Sequence, residues 1–271
     1  MTQLSKRLIL TLFLSVAING MALTGHLFAI SPFLPGERFT YKITVMGVPA
    51  GEATLEVNAK AMMNGQEVYP LVSTAQSNDL TSLFYPVDDR VESYMDAKNF
   101  YSHCIRIQQH RGKKSRDKRV LFDQTTHKAI RLKKGQEAVF DIPAHIQDSL
   151  SAIYFYRTFA PVSMGASNFI DIHESDKNWS LELQTLAKER VTTPVGSFDA
   201  IKVKAVVHFD GPFLEKGDVF IWFTDDLARA PVMVQSKMTI GRITALLSSR
   251  RNGVVPDADA ASPPIQQSCS E

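Results

Sequence analysis

From Gly36 onward, apolar and polar residues alternate with a period of two, the repeat of a strand whose side chains point to opposite faces. In FTYKITV, Phe39, Tyr41, Ile43 and Val45 alternate with Thr40, Lys42 and Thr44. GVPAG at 47–51 supplies turn chemistry, and ATLEV at 53–57 resumes the alternation. MNGQ at 63–66 carries Asn-Gly, a strong hairpin signal. VYPLVSTA at 68–75 follows, its Pro70 fitting an edge or a bulge. Further candidate strands lie at 90–96, 102–110, 118–123, 128–132, 168–174, 179–191, 198–209, 218–224, 230–240 and 242–247. Many short strands joined by hairpins predict an all-β, mainly antiparallel domain over 36–247. So many antiparallel strands need protected edges, which predicts a strongly curved sheet or an incomplete β-barrel.

One segment breaks the period. IPAHIQDSLSAIYFYRTFA, 142–160, spaces Ile146, Leu150, Ile153 and Tyr154 as a helix would. The expectation is a packed helix of about three turns over 144–159, opened near Pro143, acting as a plug or lid on the sheet. A membrane-surface helix is the competing reading, and its polar face is poor in the Lys and Arg that such helices carry.

The ends read differently. Lys6 and Arg7 precede the apolar stretch Leu8–Leu23, and Gly20 and Ala22 supply the small residues of a cleavage site. Residues 1–22 are therefore expected to be a signal peptide and 23–35 a linker, with export to the periplasm. An uncleaved anchor is the alternative, since Leu27, Phe28 and Ile30 prolong the apolar character. The tail 248–271 is small, polar and Pro-rich, which predicts disorder. Cys104 and Cys269 are the two cysteines. Because Cys269 lies in that tail, the expectation is a buried Cys104 and a free Cys269 rather than a bridge.

Three segments concentrate polar chemistry. WFTDDLARAPV at 222–232 holds Asp225, Asp226 and Arg229, and PVDDRVESYMD at 86–96 holds Asp88, Asp89 and Arg90. Paired carboxylates can bind a metal or share acid and base work. Between strands they more often pin turns, with the arginine forming a fork to an acid. If the two segments met in space, a site would be in prospect. Leu80, Leu83 and Phe84, just before the second segment, are expected to cap one end of the sheet.

The third segment, RIQQHRGKKSRDKR at 106–119, sets seven Lys or Arg against one Asp. Its basic residues Arg106, Arg111, Lys113, Lys114, Arg116, Lys118 and Arg119 read as a solvated hairpin tip or as contacts to anionic headgroups. The net charge of +2 gives no case for a nucleic-acid partner. No cofactor motif, metal-ligand spacing or nucleophile elbow is present.

The order of these landmarks carries a resemblance. GERFTYKITVMGVPAGEATLEV, LTSLFYPVDDRVESYMDA, RDKRVLFD, IQDSLSAIYFYR, TPVGSFDAIKV and VFIWFTDDLARAPVMVQSKMTIGRITALL together resemble the domain-of-unknown-function 3108 family over about 36–247. The resemblance implies an exported, mostly β protein of the Gram-negative envelope and transfers no catalytic residue. With the residues, it leads to an expectation of a non-catalytic periplasmic binding or accessory module. Its ligand would be amphipathic: a lipid, a lipid-linked glycan or a polysaccharide. The alternatives are a protein-interaction partner of an envelope export or assembly machine, and a metal-assisted or glycan-acting enzyme using both Asp-Asp segments.

Overall fold

The computed structural model describes residues 31–159, 163–208, 218–238, 241–254 and 269; the leader at 1–22 lies outside them. Among these residues, fifteen strands form one antiparallel sheet, not closed by backbone pairing. They are β1 (Arg38–Val45), β2 (Val48–Val57), β3 (Ala61–Met63), β4 (Gln66–Ser77), β5 (Val87–Asp96), β6 (Ser102–Arg111), β7 (Lys114–Asp123), β8 (Lys128–Lys133) and β9 (Gln136–Asp141). β10 (Ser167–Glu174), β11 (Lys177–Thr193), β12 (Gly196–His208), β13 (Val219–Thr224), β14 (Pro231–Met238) and β15 (Gly241–Arg251) complete it. Two short helices are α1 (Asp79–Ser82) and α2 (Ser151–Arg157). The strand order is β10-β11-β12-β13-β14-β15-β1-β2-β4-β5-β6-β7-β8-β9, with β3 paired on β4.

Local chemistry explains the hairpins. Asn64 and Gly65 adopt φ of 50° and 80°, the left-handed pair of a tight two-residue turn. Lys134 and Gly135 do the same at 51° and 73° and create β9, which the alternation alone did not disclose. The β1–β2 turn is Met46-Gly47 rather than the whole of GVPAG; Val48–Gly51 already belongs to β2. Gly51 is required for another reason: a Cβ there would lie 2.1 Å from the Gln76 carbonyl oxygen of β4. Pro70 sits where β4 exchanges β3 for β2, so its missing N–H costs no regular ladder there.

β13 is apolar on both faces. Trp222 joins a core with Phe39, Tyr41, Val191 and Leu247, while Phe223 joins another with Tyr156, Ile172, Leu183 and Val203. A bulge in β11 between Thr185 and Ala187 switches which face its odd-numbered residues take, so Leu183 enters the second core and Val191 the first.

The helix is shorter than its periodicity predicts. His145 has φ of 59°, outside helical geometry, and Ile146 is buried among Ile105, Ile107 and Phe122. Gln147 instead bridges Ile172 of β10. Asp148 then fixes the start of α2: its Oδ1 accepts from the Leu150 and Ser151 amides at 2.8 and 2.9 Å. Its Oδ2 accepts from the Ser93 and Ser102 hydroxyls at 2.6 and 2.5 Å. Burial nevertheless pushes this carboxyl above its usual range.

Three further expectations are corrected. Phe33, assigned to a linker, is buried edge-on to Tyr69 and Tyr154 at 5.2 Å each. Residues 248–251, assigned to the tail, extend β15 to pair Arg251 with Arg38. Cys269 is not free: it is buried and bonded to Cys104 with a Cα–Cα distance of 6.4 Å. Tyr94, Met63 and Val68 surround this pair, an apolar patch that the docked cysteine covers.

Candidate functional site

The strand registers place the two Asp-Asp segments on opposite rims of the sheet. Asp88 at the start of β5 lies opposite Gln76 at the end of β4, and through Gly51–Ser77 and Val45–Val48 this edge continues to the β1–β2 turn. Val45 pairs Ile243 near the start of β15, and Met238 pairs Gly241, so the edge runs on to the start of β13 at Val219. Asp225 and Asp226 follow the other end of β13. The enzyme reading that needed both segments in one place is therefore not supported. Among the described residues, no group of three or more His, Cys, Asp and Glu is placed to hold a metal ion.

Around Asp226 the polar groups serve the turn and the helix. Asp226 Oδ1 accepts from the Thr224 hydroxyl at 2.7 Å and from the Arg229 amide at 3.1 Å. Asp225 pairs with Lys188 at 2.6 Å. The Arg229 guanidinium does not fork an acid; it donates to the Phe159 carbonyl just beyond α2. Next to it, Arg157 of α2 is 2% exposed and donates to Glu37 at 2.6 and 2.9 Å, to the Ala228 carbonyl and to the Pro32 carbonyl. Its guanidinium also lies 5.3 Å from the Phe33 ring and 5.6 Å from the Phe39 ring. No sequence signal marked Arg157 or Glu37, because their partnership spans 120 residues. Together α2 and Phe33 pack into two of the apolar cores, and the Arg157 guanidinium lies against Phe39 of another.

The rim with Asp88 is built otherwise. Asp88 and Asp89 lie inside β5, not in the loop before it. Asp89 is 5% exposed and accepts from Arg111 Nε at 2.7 Å, and Asp88 accepts from Gln76 at 3.1 Å. Arg90 turns to Glu92 at 2.6 Å instead of to either aspartate.

The basic run is dispersed by the same two-residue period. Arg106 and Arg119 face each other across β6 and β7. Arg116 and Lys118 lie 3.5 Å from Glu174 of β10. Burial pushes the Lys118 amine below its usual range; burial raises Glu174, but Lys118, the Ser175 hydroxyl and Arg116 outweigh it and hold the carboxyl low. With Arg131–Asp176 and the Asn178 donor to the Asp141 carbonyl, these pairs fasten β10 and β11 to β7–β9 where backbone pairing is absent. Only Lys113 and Lys114, beside Arg111, remain at the hairpin tip.

Beside that tip, the apolar segment does not cap the sheet. Leu80, Leu83 and Phe84 are 61%, 78% and 83% exposed, and Tyr85 is half exposed. The chain is held in this posture at both ends. Asn78 caps α1 through the Thr81 amide at 2.8 Å and donates to the Pro49 carbonyl at 3.0 Å. Gly112 donates to the Pro86 carbonyl at 2.8 Å, and the Tyr85 ring lies so close to Gly112 that a Cβ would approach within 3.0 Å. Met46 and Val48, at the β1–β2 turn of the same rim, are also exposed. Sequence reading found both the apolar and the basic residues; their adjacency appears only once β5 and β6 pair.

Residues 40–248 match the family described as "Protein of unknown function (DUF3108)", and the chain belongs to that family. No curated protein matches it. Among solved structures it resembles a β-barrel-like protein of the domain of unknown function DUF1849 from Brucella abortus. That match has 10% identity and a TM-score of 0.56, and covers 81% of this chain and 98% of that one. It also matches a candidate exported protein with a YmcC-like fold from Bacteroides fragilis, at 11% identity and a TM-score of 0.34, covering 82% and 98% of the two chains. The Brucella likeness is one of fold alone.

Proposed function

We propose that this member of the DUF3108 family is a non-catalytic binding module of the cell envelope that takes an amphipathic ligand at its outer surface. One observation carries the reading: large apolar side chains stand exposed beside exposed cations on one rim, while α2 and Arg157 are buried. A ligand with an apolar and an anionic part matches that rim in both respects. The carrier form, with the ligand in the concavity of the sheet, is disfavoured by α2, whose Tyr154, Tyr156 and Arg157 are buried against the sheet.

Export supports the envelope setting. The basic and apolar leader precedes the domain, and a disulfide between Cys104 and Cys269 suits an oxidising compartment. Fractionation of cells should place a processed chain, shortened by about the leader, in the periplasmic or envelope fraction. A full-length cytosolic chain would remove this setting.

The binding test is native mass spectrometry with two probes, lysophosphatidylglycerol below its micelle concentration and an acidic oligosaccharide. A saturable adduct with lysophosphatidylglycerol, and a weaker one or none with the oligosaccharide, is the expected result. A chain left bare by lysophosphatidylglycerol overturns the reading.

A further inference from the structure

We propose that the rim formed by residues 78–86 and the β6–β7 turn docks on an anionic phospholipid bilayer, with Leu83 and Phe84 entering the acyl boundary and Lys113 and Lys114 meeting headgroup phosphates. This rests on the amphipathic-ligand reading and commits it to a membrane surface. The geometry has three parts. Leu80, Leu83, Phe84 and Tyr85 project from one short segment, and none of the first three is withdrawn into a core. The segment is anchored rather than loose, through Asn78 to β2 and through Pro86 to Gly112, so exposing these side chains is a fixed property of the fold. The anchor at Gly112 is itself part of the basic turn, which sets Arg111, Lys113 and Lys114 beside the apolar group.

Charge complementarity selects the occupant. Asp89 engages Arg111, but the amines of Lys113 and Lys114 are exposed at the tip. Further exposed cations stand along the same rim, Lys134 at the β8–β9 turn and Arg242 at the start of β15. Asp79 and Asp88 are the opposing charges in the apolar segment and beside it. Aromatic and aliphatic side chains next to Lys and Arg are the composition that settles at a headgroup boundary. A cation near an anionic bilayer contributes on the order of 1 kcal/mol, so two lysines are worth about a thirtyfold change in binding.

Vesicle flotation tests this with the mature protein. Wild-type chain is expected to float with vesicles of phosphatidylcholine and phosphatidylglycerol, and to stay down with phosphatidylcholine alone or in high salt. Leu83→Ser/Phe84→Ser and Lys113→Gln/Lys114→Gln should each cut the bound fraction about tenfold or more, with unchanged thermal melting. Equal flotation with neutral and anionic vesicles, or full flotation of either double variant, overturns the proposal. Absence of flotation together with a retained lysophosphatidylglycerol adduct overturns the bilayer docking and leaves the amphipathic-ligand reading standing; loss of both removes both. Absence of flotation with a concentration-dependent dimer that Leu83→Ser/Phe84→Ser abolishes would assign the rim to a second copy of the chain instead.

Discussion

The two rims of this sheet begin from the same sequence theme, two aspartates followed by an arginine, and put it to different use. At the α2 rim the charged groups around the Asp-Asp turn and the helix have internal partners: Asp226 holds its turn, Arg229 holds the end of the helix, and Arg157 is enclosed with Glu37. At the opposite rim Asp89 ties Arg111 to β5, and the lysines and large apolar side chains beyond it are left to solvent. Polar residues that are spent on neighbours explain folding. Those left unspent, next to exposed apolar groups, are where a surface does work. An Asp-Asp pair in a sequence does not distinguish these cases; what its neighbours bind does.

The sharpest way to break the comparison is to unpair the buried charge. Glu37→Ala strands the Arg157 guanidinium in the core and should cost about 3–5 kcal/mol in urea unfolding, whereas replacing both residues with apolar ones of similar volume should recover much of it. A small loss from Glu37→Ala would mean that the α2 rim is not a sealed structural pole. Next in size, Cys104→Ala/Cys269→Ala removes a link across 165 residues and should cost about 2–4 kcal/mol. Asp226→Ala loses one acceptor serving two donors and should cost about 1 kcal/mol.

Acid sharpens the picture at the β7–β10 fastening. Burial holds His173 below the usual imidazole range, helped by Lys118 and opposed by Asn178, Asp176 and Glu174. The unfolded chain takes up that proton near pH ~6.5 and the folded chain resists it. Stability is therefore fully present above that pH and declines as pH falls. Glu174, held low, acts in the same direction at lower pH. Replacing His173 with Gln should flatten the first decline in unfolding midpoints measured from pH 7.5 to 5. The smallest effect belongs to the exposed rim: Leu83→Ser/Phe84→Ser should change stability by less than about 0.5 kcal/mol per site.

Much of the fold was legible because strands announce themselves locally. The alternation in FTYKITV and the Asn-Gly of MNGQ each act within a few residues, and the resulting curved, all-β sheet follows from edge protection. What failed depended on contacts distant in sequence. Ile146 sits at helical spacing but is claimed by the core beside Ile105 and Phe122, and Gln147 by β10. Cys269 stands in a segment without periodicity, yet Tyr94, Met63 and Val68 leave an apolar patch that it covers. The basic run read as one patch, but alternation sends Lys118 inward to Glu174 and leaves Lys113 and Lys114 at the tip. The apolar residues at 80–84 are plain in the sequence, but composition does not say which way a short segment faces, and Leu80, Leu83 and Phe84 stand in solvent instead of capping the sheet.

Hydrogen–deuterium exchange of the mature protein with and without phosphatidylglycerol vesicles addresses the central claim directly. Slower exchange confined to residues 78–86 and 111–114, with α2 at 151–157 unchanged, is the result this account predicts. Slower exchange in α2 and around Phe33, with the exposed rim unaffected, would place the ligand in the interior and contradict it.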